Sequence, residues 1–417
     1  MFKPVDPKKS SADREKDIIK FWKENQIFEK TIENRREAKS YSFFDGPPFI
    51  TGVPHFGTIL SSVAKDVVPR YFTMKGMRVD RRWGWDCHGL PAENLVEKKL
   101  GSKSKRDIEN KIGIEKFVNE CFIATSKIAG EWEDIIDRIG RFVDFKNSYK
   151  TMDADYMESV WWAFKELYNK GLIYKDSRIS LYCPRCSTPL SNFEIAMDGS
   201  YQDVKDEAVF VKFNLHHTAK TSLGLPLELE AYFVAWTTTP WTLPANTALA
   251  VNPNNEYSVV QVKNKKDDEY YFVLGSEKFK KLKKEKDWKG ETIKKMKGEE
   301  LLGLHYEKLS LEDGVVPLKE EEAAQGWRIV AGDFVTEAEG SGIVHLAPAF
   351  GEDDYRTAKV EKLPILLNVD EEGKFREGKY KDRNVWEANS DILKDLKEKG
   401  LVLDSEKIEH SYPFCHR

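Results

Sequence analysis

The sequence predicts an α/β protein in which a doubly wound parallel sheet is interrupted by a β-rich insertion. Three observations carry that expectation. Up to about residue 199, short apolar runs alternate with long stretches of helical spacing, the pattern of strands joined by crossover helices. From Gly199 onward, period-two strands separated by turn residues take over. The tail from Glu409 to Arg417 reads as the chain re-entering the first architecture. At 417 residues the chain is too long for one ordinary domain. The expected divisions are 1–199 (an N-terminal helix and the first part of the sheet domain), 200–404 (the insertion) and 405–417 (the return).

Each element has its own local cause. Ser10 and Ser11 precede Ile18, Phe21, Trp22 and Phe28 at helical spacing, so the chain opens with a helix. A strand is expected over Tyr41–Phe44, a helix over Gly57–Tyr71, and a second strand over Arg78–Trp83. Ser104–Gly140 reads as helical, with Trp132, Ile135, Ile136 and Ile139 on one apolar face. Asp153 is placed to cap a helix running to Asn169, with Tyr156, Val160, Phe164 and Leu167 facing inward and Gly171 as the stop. The adjacent Trp161 and Trp162 read as core packing rather than base stacking. In the insertion, strands are expected at Ala208–Phe213, Leu227–Ala235, Tyr257–Val262 and Tyr270–Leu274. The turn Asn264–Asp268 joins the last two. Helices return at Asp353–Val360 and Ser390–Lys399.

Composition narrows the class. Hydrophobic residues make up 40% of the chain, enough for sizeable cores, yet no apolar run approaches the roughly 18 residues of a membrane span. The opening MFKPVDPKKSSADREKD has no apolar stretch of the secretory kind. Five cysteines without a paired framework fit a reducing compartment, so the cytoplasm is expected and no membrane partner is. A net charge of −4 gives no global attraction for nucleic acid, and any RNA contact then needs a local basic surface. The densest basic run, Lys278–Gly298, is interleaved with acids at helical spacing and reads as a solvated face.

Two segments carry the chemistry of the first domain. Phe43–Leu60, FFDGPPFITGVPHFGTIL, is an apolar run, a Gly/Pro turn, and then His55-Phe56-Gly57 opening a helix. That order sets an imidazole and backbone amides at a helix N-terminus, where nucleotide phosphates are stabilised. Arg81–Glu93, RRWGWDCHGLPAE, is an aromatic strand end that delivers Asp86 into a second turn.

The motifs resemble those of one family. PHFG at Pro54–Gly57 resembles the HIGH signature of class I aminoacyl-tRNA synthetases, and GWDCHGLP at Gly84–Pro91 is similar to that of the isoleucine members. Valine enzymes usually carry a GTD-type sequence there, and leucine enzymes a GWDAFGLP-type one. WTTTPWTLPAN at Trp236–Asn246 and GSGIVHLAPAFGEDDY at Gly340–Tyr355 resemble the two halves of that subfamily's editing pocket. The four motifs fall in the family's order along nearly the whole chain.

The resemblance implies a Rossmann-like catalytic domain that activates isoleucine with ATP and Mg²⁺ and charges tRNA(Ile), working as a monomer. Positioning and charge stabilisation supply most of the rate of such a reaction. His55 would direct a ring donor at the phosphates, while Gly57 lets the nucleotide lie against the backbone. By resemblance, Gly46 and Pro47 would line the amino-acid pocket and Asp86 would pair with the α-ammonium group. His88 reads as structural. Thr58 stands where the family usually has a second histidine; it can donate one hydrogen bond but carries no positive charge. A KMSKS-type lysine loop is found nowhere in the sequence. The chain is therefore expected to be an N-terminal fragment of a longer enzyme, with little ATP–pyrophosphate exchange of its own.

A pocket built for isoleucine excludes valine weakly. The general value of about 1–3 kcal/mol per methylene has the isoleucine enzyme as its standard worked example. A second, hydrolytic site is the remedy. Thr237, Thr238 and Thr239 present hydroxyls at a strand end, suited to orient water or a ribose. By resemblance, Asn246 belongs to the same pocket, His345 shapes it, and Asp354 binds the α-ammonium of a misattached valine.

Cys183-Pro184-Arg185-Cys186 has the spacing of half a tetrahedral zinc site. Cys415, in YPFCHR, would add a third ligand from the far end of the insertion, and a cysteine following Arg417 would complete a second CxxC. His410 and His416 are weaker candidates, and three ordinary reduced thiols are the alternative. Two other readings of the chain stay open at this point: a valine enzyme, and a non-catalytic or trans-editing tRNA-binding protein.

Overall fold

The computed structural model describes residues 6–50, 52–102, 104–263, 269–286, 290–309, 311, 320–336 and 340–415. The expected turn at Asn264–Asp268, and His416, lie outside the described residues. The chain divides into two compact units, Met1–Lys175 and Asp176–Arg417.

The first unit opens with α1 (Ser11–Glu24), whose N-cap Ser10 accepts from the amide of Asp13, and α2 (Ile27–Glu33). Next come α3 (Phe56–Met74), β1 (Arg82–Trp85), α4 (Leu90–Leu100), α5 (Lys105–Asp107), α6 (Ile114–Arg138), β2 (Asp144–Lys150) and α7 (Ala154–Asn169). β1 and β2 pair in parallel through the crossover helices between them, the handed unit of an α/β sheet. The strand expected over Tyr41–Phe44 does not form; parallel pairing here is limited to isolated bridges on either side of it, Ser40↔Arg78 and Phe49↔Asp86. The intervening Pro47 and Pro48 carry no N–H, so a continuous ladder is impossible. The expected helix over 104–140 breaks at Gly113, whose φ of +89° stops the helical run before α6. The core collects Ile50, Trp83, Trp85, Trp132 and Ile136.

α7 forms where expected, and Gly171 (φ +69°) follows it, but its packing differs. None of its side chains is buried: Tyr156, Val160, Phe164 and Leu167 are exposed, as are Trp161 (70%) and Trp162 (65%). Apolar residues appear on every face of this helix, so spacing identified the helix without identifying an inward side.

The second unit is built on one large sheet. Its strands are β5 (Tyr201–Asn214), β6 (Glu230–Thr237), β7 (Ala248–Val251), β8 (Glu256–Lys263), β9 (Glu269–Gly275), β10 (Glu291–Lys297), β11 (Arg328–Ala331), β12 (Val344–Leu346) and β13 (Val402–Pro413). A separate two-stranded ribbon, β3 (Tyr182–Cys183) with β4 (Thr188–Pro189), precedes them. Short helices α8 (Asn192–Ile195), α9 (His217–Leu223), α10 (Ser276–Lys286) and α11 (Glu320–Ala323) fill connections. α12 (Glu352–Glu361) and α13 (Val385–Glu398) stand near the expected positions. β6 pairs antiparallel with β5, parallel with β9, and parallel with β12 at Trp236. Residues 405–413, expected at the return to the first domain, run within β13 antiparallel to β5, Pro413 facing Tyr201. The buried faces of β5, β6, β7, β8 and β9 carry Val209, Phe213, Phe233, Leu249, Val259 and Val273 at full burial. Strands covered on both sides explain the strength of the apolar signal in this region.

Candidate functional site

The end of β6 feeds Thr237, Thr238 and Thr239 into a 3₁₀ turn over Pro240–Ala245. β12 lies parallel to that end, Val344 opposite Trp236, and antiparallel to β7, which sets His345 beside the threonines. The chain then turns through Ala347–Gly351 into α12, whose first turn carries Asp354. The three threonines, Thr242, His345, Phe350, Gly351 and Asp354 thus line one cavity of about 320 Å³. Asn246 stands behind His345 rather than in the wall.

A continuous hydrogen-bond chain runs through this wall. The Tyr306 hydroxyl donates to Asn246 Oδ1 (2.7 Å), and Asn246 Nδ2 donates to Ala248 O (2.9 Å) and approaches His345 Nδ1 (3.3 Å). His345 Nε2 lies 2.8 Å from Thr242 Oγ1, which donates to Thr239 O at 2.8 Å. Thr239 N–H donates to Thr237 Oγ1 (3.1 Å). Burial lowers the His345 pKa to about 4, so the ring is neutral at neutral pH.

Asp354 is half-buried, and burial pushes its carboxyl above the usual range; the Ala347 N–H, donating to Oδ2 at 2.8 Å, works in the other direction. Asp354 thus presents a carboxyl short of solvent in the first turn of α12. Gly351 makes room for it. A Cβ there would lie 2.7 Å from Asp354 Cγ.

In the first unit, Asp86 N–H donates to Pro48 O (2.9 Å) and Ile50 N–H to Asp86 O (3.2 Å). These bonds set Pro48 and Ile50 beside the half-buried Asp86, with Pro47 and Gly46 next along the chain. Lys65 on α3 donates to Gly46 O (2.7 Å) and pairs with Asp45 (2.6 Å), which also binds Arg141. His55 is the N-cap of α3, its Nδ1 accepting from Gly57 N–H at 3.1 Å. The bare amide expected at Gly57 is thus engaged by the ring, and the neutral ring keeps its proton on Nε2. His55 and Gly57 are exposed, and Thr58 is half-buried. Among the described residues no hydrogen bond joins His55 to Asp86. His88 is exposed, its amide 3.4 Å from Asp86 Oδ1.

The Sγ atoms of Cys183, Cys186 and Cys415 all lie within 4.8 Å of one another. Tetrahedral zinc with Zn–S of about 2.3 Å sets its sulfurs about 3.8 Å apart, so this donor set fits three corners of such a site. His410 is not a fourth: its Nε2 pairs with Asp206 at 2.7 Å. No helix among the described residues is long and apolar enough to cross a membrane.

Sequence reading missed Thr242, Tyr306, Gly351, Asp45, Lys65 and Arg141. Thr242 and Gly351 stood inside quoted motifs. Tyr306 lies 60 positions from its partner Asn246 and carried no local signal.

Residues 17–297 match the family described as tRNA synthetases class I (I, L, M and V). The isoleucine–tRNA ligase of Treponema denticola is 45% identical over 100% of this chain and 39% of its own length. That of Rickettsia peacockii is 46% identical over 97% and 36%, and that of Clostridium tetani 44% identical over 100% and 38%. The chain spans about two fifths of the length of these relatives. A solved editing domain of the cytosolic leucyl-tRNA synthetase of P. knowlesi overlaps 48% of this chain and 95% of its own, at 11% identity and a TM-score of 0.36. With a family match over most of its length and relatives of this similarity, the chain belongs to the class I tRNA synthetases.

Proposed function

We propose that the protein is an isoleucine–tRNA ligase that removes misattached valine in the cavity of its second unit. Its substrates are isoleucine, ATP with Mg²⁺ and tRNA(Ile), and it works as a cytoplasmic monomer. Activation belongs to the first unit, where Gly46, Pro47 and Asp86 receive the amino acid and His55, Gly57 and Thr58 face the phosphates. The domain reading is a sheet domain over 1–199, an editing insertion over 200–404 and a return over 405–417. Cys183, Cys186 and Cys415 would hold Zn²⁺, which would tie the β3–β4 ribbon to the end of β13 without taking part in either reaction.

The observation that carries the reading is the convergence of Asp354, the threonine row and neutral His345 on one cavity. Hydrolysis needs water to attack the ester carbonyl: a carbon–oxygen bond forms to water and the bond to the ribose oxygen breaks. The ribose oxygen takes one proton, and the amino acid leaves as its carboxylate with release of the other. Asp354 anchors the ammonium end, and the hydroxyls orient the water. The neutral His345 ring supplies shape rather than charge.

The test is hydrolysis of valyl-tRNA(Ile) against isoleucyl-tRNA(Ile) by the 417-residue protein. Wild type should cleave the valyl ester preferentially, and Asp354→Ala should lose that preference. Equal discrimination by the variant would remove Asp354 from the role, and failure of wild type to cleave either ester would sink the hydrolytic reading.

A further inference from the structure

The direction of the hydrogen-bond chain behind the cavity assigns a task to two residues outside its wall. Asn246 is oriented by groups that can only accept: Ala248 O at 2.9 Å and Leu346 O at 3.4 Å face its Nδ2. Its Oδ1 takes the Tyr306 hydroxyl at 2.7 Å. Both residues are buried, Asn246 at 3% exposure and Tyr306 at 3%, so water does not compete for these bonds. The amide nitrogen that faces His345 Nδ1 therefore brings hydrogen, and a second proton on Nδ1 would meet it head-on. The ring proton is left to Nε2, which donates to Thr242 Oγ1 at 2.8 Å. Thr242 spends its own hydrogen on Thr239 O at 2.8 Å. Its oxygen can then only receive from the Thr239 hydroxyl, 3.4 Å away.

We propose that Asn246 and Tyr306 are positioning residues that hold His345 as the Nε2–H tautomer and so turn the Thr239 oxygen into a hydrogen-bond acceptor for the attacking water. From Tyr306 through Asn246 and His345 to Thr242 each donor points towards the cavity, and the Thr239 hydroxyl donates back to Thr242. Thr237 Oγ1 also lies 3.3 Å from the Thr239 hydroxyl but already receives the Thr239 N–H, so the Thr239 hydrogen goes to Thr242 and its lone pairs face the cavity. The catalytic part of this inference rests on the hydrolytic reading above; the tautomer does not.

The experiment uses the 417-residue protein labelled with ¹⁵N in its histidine rings. Long-range proton–nitrogen spectra from about pH 8 to about pH 5.5 report which ring nitrogen carries hydrogen. His345 should show a bare Nδ1 and a protonated Nε2 throughout. A proton on Nδ1, an averaged pair, or a doubly protonated ring at about pH 6 would overturn the proposal. Tyr306→Phe removes one hydroxyl and should mix the two tautomers. It should also lower kcat for valyl-ester hydrolysis about tenfold, with KM unchanged. A fall in kcat with the ring pattern intact would overturn the link to Thr239. Where Asn246→Asp folds, it presents an acceptor to the ring and should move the proton to Nδ1. Correct tautomer without hydrolysis in wild type would sink the proposed function and leave the tautomer assignment standing. Hydrolysis with the proton on Nδ1 would do the reverse.

Discussion

Gly351→Ala is the sharpest probe of the ammonium receptor, because it alters position without altering charge. Gly351 is the N-cap of α12 with φ −128° and ψ 139°, extended backbone that alanine adopts freely. Strain in the chain is therefore not the issue. The new Cβ would stand 2.7 Å from Asp354 Cγ and 2.8 Å from Oδ1. Ordinary carbon contacts lie at roughly 3.5–4.0 Å, so the carboxylate must retreat by about 1 Å. Its bond from Ala347 N–H, now 2.8 Å, does not survive that movement. A hydrogen bond to a charged group contributes about 1.5–3 kcal/mol, which corresponds to a drop of about 10- to 150-fold in kcat/KM for the valyl ester. The cap and backbone-entropy effects roughly offset each other, so the lost bond should also lower global stability, by up to about 1.5–3 kcal/mol. Single-turnover hydrolysis with a melting curve as control checks both halves. Hydrolysis within about twofold of wild type, an effect below roughly 0.5 kcal/mol, would refute the claim that this carboxylate must sit where it does.

Three further outcomes follow from the same structure. The His345 pKa falls from 6.5 to about 4 on folding, so the unfolded chain binds more protons between those values. Stability contributed by the neutral ring is present above about pH 6.5 and is lost as pH falls towards 4; between pH 7 and 4.5 the loss is about 2 kcal/mol. His345→Gln should flatten that part of the pH profile in urea unfolding, and a parallel profile would show that the ring is not the source. Gly84→Ala would drive a Cβ into the Tyr149 ring, which donates to Asp45 O at 3.2 Å and stacks on Tyr156. Overpacking of this kind costs about 1–3 kcal/mol, readable by the fluorescence of the adjacent Trp83 and Trp85, and an unchanged midpoint would contradict it. Protein purified without chelator should carry about one zinc by mass spectrometry, and stripping it should lower the melting temperature of the second unit. Zinc below about a tenth of an equivalent would leave Cys183, Cys186 and Cys415 as ordinary thiols.

What could be read from the residues depended on whether the cause was local. The strands at Ala208–Phe213 and Tyr257–Val262 were legible because period-two apolar runs need no knowledge of their partners, and both lie inside observed strands. The gathering of three threonines, His345 and Asp354 rested on resemblance, since nothing in spacing alone joins residue 237 to residue 354. Three local patterns misled. Tyr41–Phe44 has strand composition, yet pairing there is limited to the isolated bridges of Ser40 and Phe49 on either side of it. α7 has helical spacing with apolar residues all round, and periodicity cannot say which face is covered. His55 and Gly57 satisfy each other, so an amide counted as available for a ligand is already in use. Tyr306 and Thr242 went unseen because their partners lie 60 and 103 positions away.

On the proposed function, the two units would solve different problems, and their surroundings are opposite. In the first, His55 is exposed and Asp86 half-buried, so in the proposed activation the substrate itself would complete the enclosure. In the second, His345 is held in place before any ligand arrives. His345 is 8% exposed and hydrogen-bonded through both ring nitrogens, to Thr242 and Asn246. A side chain held on two sides cannot swing away from a larger substrate. That rigidity is what discrimination by size requires: a wall that yields would admit isoleucine as well as valine. Against a fixed ring, one extra methylene is overpacked, at a cost of about 1–3 kcal/mol. This matches the penalty of about 1–3 kcal/mol by which a synthetic pocket disfavours the smaller side chain. The two filters act in opposite directions on the same methylene and multiply. A hydrolytic site with a soft wall would waste correct product, so on the proposed function the hydrogen bonds that freeze His345 would matter to accuracy as much as Asp354 would to binding.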